Sequence, residues 1–253
     1  CEETPAQLLK LMLVPSSISV NELDYFVVAS PLSYKVAYGI KGGWRKNVTT
    51  LSDYVGIRGL MQAFGLIFGL DRLPELINPD DFAKEAINHP KNMCCIGSPK
   101  ANRWTGLIMD EFFEGKRPKW EFRIDPNSKS FRNPKVIVRR KEVIYTPATT
   151  PVNKKPTEWD FGLVIRGPNP YNSAGLFFVL AGRSALGTEA ACLAVTEPTC
   201  LKILLEKLRF EKFDMNNHKE SWCAVVSIEC NRKGPEYGSD ISSFVVHEVV
   251  GIV

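Results

Sequence analysis

Two polar stretches that follow apolar, strand-like segments contain the residues best suited to bind an anion. They are GSPKANRWT at residues 97–105 and AGRSALGTEA at residues 181–190. Each brings glycine, small polar side chains and a cation to the predicted junction of a strand and a helix, where backbone N–H groups and the positive helix end attract negative charge. The second stretch matches neither the P-loop nor the GxGxxG pattern. The sequence therefore predicts where a ligand lies without identifying it.

A weak internal repeat supports this location. Residues 27–31 and 95–99 both read as a hydrophobic strand, a small residue and Ser-Pro, and a base follows four residues later at Lys35 and Arg103. Such repeats suit a doubly wound sheet, in which parallel strands deliver their loops to one common edge. Chance similarity between short strand–turn motifs is the alternative.

The predicted ligand-binding residues are expected to lie together at this common edge of the sheet. They are Ser30, Lys35, Ser98, Lys100, Asn102, Arg103, Thr105, Arg166, Asn169, Gly182, Arg183, Ser184, Gly187 and Thr188. Cations with neutral hydrogen-bonding groups fit a nucleotide or another phosphorylated or anionic small molecule. The structural alternative is that Ser98, Asn102 and Thr188 cap helices, that the glycines allow close strand–helix packing, and that Arg166 serves a turn or an ion pair.

Catalytic and metal-binding patterns are sparse. Glu189 is the only acid expected in the first turn of its helix, where an acid is more often a favourable dipole partner than a general base. The sequence has no GxSxG, HExxH or paired-carboxylate motif and no Ser–His–Asp spacing. With no CxxC pair and only 3 histidines, a zinc site is not expected, and no cofactor is indicated. Whether the protein is an enzyme stays open.

The cysteines indicate a reducing compartment. Their number, 7, is odd, and most of them lie within apolar runs, as small buried hydrophobic residues do. We therefore expect a cytoplasmic protein. Because the sequence begins at Cys1, we expect a processed chain or a fragment, and the alternatives are a lipid-anchored mature lipoprotein and an N-terminal nucleophile.

Composition and charge exclude several classes. With 44% hydrophobic and 24% charged residues the chain is typical of soluble globular proteins. The net charge of +4 is mild, and the basic run at residues 139–141 is better explained as a solvated hairpin face than as a nucleic-acid patch. No apolar stretch reaches the ~18 residues that a membrane span needs.

Periodicity predicts alternating helices and strands. Helices are expected at Pro5–Leu13, after a Thr4 cap, and at residues 51–69, 79–87, 103–113, about 189–195 after a Thr188 cap, and 198–209; strands are expected at residues 23–29, 73–77, 92–96, 120–124, 135–140, 142–145, 160–166, 176–180, 222–228 and 243–250. This order predicts an α/β fold, a Rossmann-like three-layer sandwich with a mostly parallel sheet and a small antiparallel β-rich insert.

The predicted domain organisation is simple. Residues 1–19 form an N-terminal helix and linker, and residues 20–253 form one α/β domain. Its halves, 20–115 and 158–253, are joined by the insert 116–157, in which the Pro- and Thr-rich stretch 146–157 is the best linker.

Three functions fit these features. The first is a ligand-binding domain that recognises the anionic small molecule described above. The second is a structural or interaction protein, a homo-oligomer or part of an assembly, that uses the β-rich insert or the apolar segment 244–253 and has no small-molecule site. The third is an enzyme acting on a nucleoside or sugar phosphate, with Glu189 or Asp53 as its acid. An exposed strand edge would favour the second.

Overall fold

A computed structural model describes the chain over most of its length. The described residues are 3–14, 25–29, 51–79, 92–99, 101–115, 120–124, 135–139, 143–145, 149–152, 155–182, 185–231 and 238–252. Over these residues the protein is mixed α/β, with helices packed against a central sheet. The predicted α/β class is therefore confirmed. The helix expected at residues 79–87 lies almost entirely outside the described residues.

At least two of the five described α-helices begin after a capping residue that the sequence provides. Their bounds are Pro5–Leu13 (α1), Leu51–Phe68 (α2), Arg103–Phe112 (α3), Ala185–Thr196 (α4) and Pro198–Phe210 (α5), and a short 3₁₀ helix spans Leu70–Arg72. At α1 the Thr4 side chain accepts a hydrogen bond from the Gln7 N–H, and the Gln7 side chain accepts one from the Thr4 N–H. At α3 the Asn102 side chain accepts the Trp104 N–H.

The strands form two sheets. Their bounds are Tyr25–Val28 (β1), Glu75–Ile77 (β2), Asn92–Ile96 (β3), Trp120–Ile124 (β4), Lys135–Arg139 (β5), Val143–Tyr145 (β6), Thr149–Val152 (β7), Lys155–Asn169 (β8), Asn172–Gly182 (β9), Trp222–Asn231 (β10) and Gly238–Gly251 (β11). The main sheet has the order β11-β10-β8-β9-β3-β1-β2, and β7 pairs with β8. Strands β4, β5 and β6 form a separate antiparallel sheet, as expected of the insert.

The main sheet is mixed, so the predicted mostly parallel sheet is wrong. Strands β9, β3, β1 and β2 run parallel, whereas β7, β8, β10 and β11 pair antiparallel. The decisive connection is the turn at Pro170 and Tyr171, because two residues close a hairpin but cannot make the crossover that parallel strands require. Strand β8 also continues to Asn169, past the predicted end at residue 166. A Rossmann-like arrangement is not confirmed.

Side chains alternate between two apolar clusters, one on each face of the sheet. Val27 and Cys94 join the cluster that contains residues of α1, α2, α4 and α5, whereas Val28 and Cys95 join the cluster that contains residues of α3. A strand buried on both faces needs apolar residues at every position. This requirement explains the unbroken apolar runs of β1, β3 and β9. The helices thus lie on both sides of the sheet.

Two boundaries differ from the predicted organisation. The predicted linker 146–157 contains β7 and the beginning of β8, so its strand residues pair with each other rather than forming a plain connection. Helix α1 also joins the core, with Leu9 and Met12 buried and the Tyr25 hydroxyl donating a 2.5 Å hydrogen bond to the Leu13 carbonyl. The division at residues 20, 116 and 158 stays a prediction.

Helices α2 and α4 pack closely because glycines face α4. A Cβ atom on Gly56 would lie 2.4 Å from Cys192 Sγ, and one on Gly59 would lie 2.8 Å from Thr196 Oγ1. Interiors are too densely packed to absorb such overlaps without movement. A third glycine of α2, Gly65, is different, since its added Cβ would make ordinary 3.7 Å contacts with Leu70 and Leu73.

These helical glycines provide a matched stability test. We expect Gly56→Ala to lower the free energy of unfolding by about 1–3 kcal/mol, because the overlap with Cys192 outweighs the gain in helix propensity. Gly65→Ala should instead raise it by up to about 1 kcal/mol. Urea denaturation of both variants measures this difference, and equal effects would contradict the close α2–α4 contact.

Candidate functional site

Only some of the strands end at the edge where a ligand was predicted, and Asn102 links two of them there. The carboxyl ends of β1, β3 and β9 share one edge because these strands are parallel. Asn102 is buried there, and its Nδ2 donates to the Val28 carbonyl at 2.8 Å and to the Ile96 carbonyl at 3.0 Å. Thr105 Oγ1 donates to the Gly97 carbonyl at 2.8 Å. Both predicted residues make hydrogen bonds within the fold.

The space beside the glycines of residues 181–190 is filled by backbone atoms of the protein itself. A Cβ on Gly182 would lie 1.9 Å from the Thr188 nitrogen, and one on Gly187 would lie 2.1 Å from the Phe161 carbonyl oxygen. The Gly182 N–H donates to Thr188 Oγ1 at 3.0 Å. Close strand–helix packing, the structural alternative for this stretch, therefore accounts for Gly182 and Gly187. The expected cap at Thr188 and the first-turn position of Glu189 are wrong, because α4 begins at Ala185 and both residues lie inside it.

The other described candidates near this edge also contact the chain itself. Arg103 Nε donates to the Pro79 carbonyl at 3.1 Å, and Ser98 is half-buried, with its carbonyl accepting the N–H groups of Ala101 and Asn102. Glu189 is buried and accepts a 2.6 Å hydrogen bond from Ser239 Oγ, which links α4 to β11. A catalytic role for Glu189 stays a prediction.

Five predicted ligand-binding residues lie outside the described residues: Ser30, Lys35, Lys100, Arg183 and Ser184. Their ligand contacts remain predictions. Within the described ranges, no three His, Cys, Asp or Glu side chains are grouped closely enough to hold a metal ion, and none of the described helices has the length and apolar character to cross a membrane. The described cysteines are buried thiols: Cys94, Cys95, Cys192, Cys200 and Cys223.

Arg166 and Asn169 do not lie at the predicted edge: Asn169 lies at the opposite edge, and Arg166 lies in the middle of the sheet. Strand β8 runs antiparallel to β9, so Arg166 pairs with Phe178 and Asn169 pairs with Asn172 at the amino end of β9. Their expected position beside residues 98–105 and 182–189 is wrong for this reason. Asn169 Oδ1 accepts the Tyr171 N–H in the hairpin turn, and Arg166 is fully buried.

A cleft of about 450 Å³ lies along β11, the outer strand of the main sheet. One wall is formed by α5 and the loop that follows it, and the other by consecutive residues at the end of β11. The lining residues are Lys207, Glu211, Phe213, His247, Glu248, Val249, Val250 and Gly251. Lys207 Nζ lies 3.4 Å from Glu211 Oε1, so the helical wall carries an ion pair.

The backbone of β11 offers hydrogen-bonding groups to this cleft. The Ile252 N–H donates to the Ser221 carbonyl at 3.0 Å, continuing the pairing of β11 with β10. Backbone groups alternate in direction along an antiparallel strand. Counting back from Ile252, the N–H and C=O groups of Val250 point toward β10, whereas those of Gly251 and Val249 point outward. No described strand pairs with that outer side.

A serine–histidine pair borders the same strand. Ser227 Oγ lies 2.7 Å from His247 Nε2, and the imidazole packs on Phe161 with ring centroids 5.1 Å apart. Burial lowers the pKa of His247 below its usual value, so the ring is neutral at pH 7. A neutral imidazole beside a hydroxyl has the chemistry of a general base. Here it also fixes the β10–β11 register, since the two side chains come from different strands.

The sequence indicates the strand that borders this cleft, but it does not indicate which side chains meet beside that strand. Most of the apolar run 244–253 lies in β11, an outer strand of the main sheet, and its expected role in contacts stays a prediction. Ser227 and His247 are 20 residues apart and meet only through the β10–β11 register, which includes two irregularities. Lys207 and Glu211 are recognisable from sequence as an i,i+4 ion pair on a helix.

Comparison of the chain with protein-family models, curated proteins and solved structures finds no match. The functional argument therefore depends on the cleft itself.

Hydrogen exchange tests the direction of the β11 backbone. We expect the Val249 and Gly251 amides to exchange at least about tenfold faster than those of Val250 and Ile252, because only the latter point toward β10. Amide-resolved NMR at neutral pH measures all four within one strand. Equal protection along 249–252 would show that the outer groups already have acceptors.

The pKa of His247 predicts a pH dependence of stability. Because burial lowers its pKa in the folded state, the unfolded chain binds a proton first as the pH falls below about 6.5. The free energy of unfolding should therefore decrease from about pH 6.5 downward and level off below the folded pKa. His247→Gln should have a shallower slope, and the difference should be small because the imidazole is partly exposed to solvent.

Urea denaturation of wild type and His247→Gln at several pH values provides this comparison. The carboxyl groups are shared by both proteins and cancel in the difference. Identical slopes would contradict a depressed pKa for His247.

Proposed function

We propose that this protein binds an extended polypeptide segment of a partner protein by strand addition at β11. The observation that carries the proposal is that five consecutive residues, 247–251, line one cleft beside the outer strand. In strand addition the backbone of an edge strand supplies affinity, and pockets beside it select alternate side chains of the bound segment.

The outward groups of Val249 and Gly251 match this mode. They are two residues apart, which is the spacing at which an antiparallel or parallel neighbour forms its hydrogen bonds. A bound segment would place every second side chain on the α5 side of the sheet, where Phe213 and the Lys207–Glu211 ion pair lie, and the others on the opposite face. On the α5 side the cleft favours a polar side chain beside the ion pair and an apolar one near Phe213.

A slender segment fits the cleft better than a second copy of this chain. A second copy that paired through its own β11 would also bring its own α5 wall beside the first. Beside residues 247–251, α5 and its following loop border the strand and leave a cleft rather than an open face. Self-association is therefore an outcome of the experiment below rather than the proposal.

Binding of an anionic ligand stays a prediction, and it concerns the carboxyl edge of the parallel strands rather than the β11 cleft. A nucleotide or phosphorylated molecule at the carboxyl edge would depend on Lys35, Lys100 and Arg183, outside the described residues, since Asn102, Thr105 and Gly182 are used within the fold. An enzyme acting on such a molecule would depend on the same residues. No contact among the described residues favours them over strand addition.

Gly251 gives a matched pair of variants to test the proposal. Both Gly251→Ala and Gly251→Pro add a Cβ about 3.4 Å from the Phe213 ring, but only proline removes the outward N–H. Linear peptides that bind the protein would be selected from a random displayed library, and their dissociation constants measured by fluorescence anisotropy. We expect Gly251→Pro to weaken binding about tenfold, the effect of one lost hydrogen bond, and Gly251→Ala to bind like wild type.

Three results would overturn the proposal. The library could yield no binder, or a selected peptide could bind Gly251→Pro as tightly as wild type while thermal melting shows that the variant is folded. The third is a dimer in sedimentation velocity that dissociates in Gly251→Pro, which would assign the edge to a second copy.

A further inference from the structure

Arg166 is a buried cation with few partners. Its side chain is 0% exposed. The guanidinium donates through Nη2 to the Met215 carbonyl at 3.1 Å and through Nη1 to the Asn217 carbonyl at 3.4 Å, and Nε finds no acceptor among the described residues. A guanidinium has five N–H donors, so two backbone carbonyls leave most of its capacity unused.

A second unused donor lies beside it. Trp222 is also 0% exposed, and its Nε1 has no acceptor within the described ranges. Arg166 and Trp222 are direct partners in the β8–β10 ladder. Opposite residues share a face of the sheet and have Cβ atoms about 5 Å apart. Trp222 and Met215 both belong to the cluster under α1 and α5, so both N–H groups lie on that side.

The charge of Arg166 has no close counter-ion in the described part of the chain. Asp214 and Glu220 act on it only at longer range, and burial lowers its pKa to about 10, which still leaves the guanidinium charged at pH 7. An isolated buried cation is strongly unfavourable unless an anion or several hydrogen bonds compensate it. Buried donors without acceptors in native proteins commonly mark an unseen water or ion.

We propose that Arg166 and Trp222 bind a small monovalent anion in the interior, between β8, β10 and the loop at residues 211–221. The site offers one positive charge and N–H donors, and no carboxylate of the described residues lies at contact distance, which suits a halide or a small carboxylate such as formate. Both accept N–H donors and carry one negative charge. A multiply charged phosphate would exceed the single cation that the described residues supply. This inference does not depend on peptide binding at β11.

The anion would also stabilise the loop between α5 and β10. The two carbonyls that accept from Arg166 belong to that loop, and the Asp214 N–H donates to Glu220 within it. Neutralising the guanidinium charge while leaving these hydrogen bonds intact would hold the loop in one conformation. Loss of the anion should therefore affect stability at that end of the sheet.

Chloride binding can be observed directly by ³⁵Cl NMR, whose linewidth increases when chloride exchanges with a protein site. Wild-type protein in chloride should give excess broadening, and its melting temperature should rise with chloride when gluconate keeps the ionic strength constant. Trp222→Phe removes one N–H and should weaken chloride binding about tenfold, as expected for a hydrogen bond to a charged group. Arg166→Met, which removes the charge at similar length, should abolish the broadening.

Competition with formate distinguishes a halide site from a carboxylate site. Displacement of chloride by a lower concentration of formate would assign the site to a carboxylate, and weak displacement would assign it to a halide. The proposal is overturned if folded wild type shows no excess broadening with either anion and no dependence of melting temperature on their concentration, because the donors would then be met by water alone. Equal broadening in wild type and folded Trp222→Phe would also overturn the site as described.

Discussion

The two-residue turn between β8 and β9 is the constraint on which the rest of the sheet depends. Such a short connection can only reverse the chain, so β8 runs against β9 although β9 continues the parallel set with β3 and β1. Every strand added beyond β8 is antiparallel to its neighbour. The hairpin thus divides one sheet into a parallel half and an antiparallel half, and it makes β11 an outer strand.

The two halves of the sheet differ in whether their buried polar side chains have hydrogen-bond partners. At the carboxyl ends of the parallel strands, polar side chains such as Asn102 and Thr105 satisfy backbone carbonyls of their own fold. In the antiparallel half of the sheet, Arg166 and Trp222 retain buried donors that no described group accepts. Unused hydrogen-bonding capacity is better evidence of a missing partner than polar character alone, since satisfied groups have little to offer a ligand.

Local features of the fold were predictable from the sequence, and long-range ones were not. The strands Asn92–Ile96 and Trp120–Ile124 and the cap at Thr4 have the expected bounds because apolar runs and capping boxes are signals within a few residues. Strand direction depends on the turn length at residues 170–171, which apolar periodicity does not report. The Gly-Pro-Asn-Pro stretch was expected to end β8 early, yet it continues in the ladder to Asn169.

The site shows the same limit. Gly182 looked suited to a ligand because it allows close approach, and the approach is real, but it is made by α4. Ser227 and His247 became neighbours only through a hairpin register with two irregularities, which no spacing in the sequence indicates. Arg166 was expected to meet an anion at the carboxyl edge of the parallel strands. It lies away from that edge because β8 runs antiparallel to β9.

The arrangement of hairpins also determines an order of folding. Strands β8 and β9, and β10 and β11, are close in sequence as well as in space, whereas β3 meets β9 across contacts such as Asn92 Oδ1 with the Leu176 N–H, 84 residues apart. Short loops close at a smaller entropic penalty than long ones. The hairpins after residue 155 should therefore assemble early and serve as the template on which β3 and then β1 dock. On a ribosome, that template is synthesised after β1 and β3, so the apolar faces of these two strands stay uncovered until it emerges.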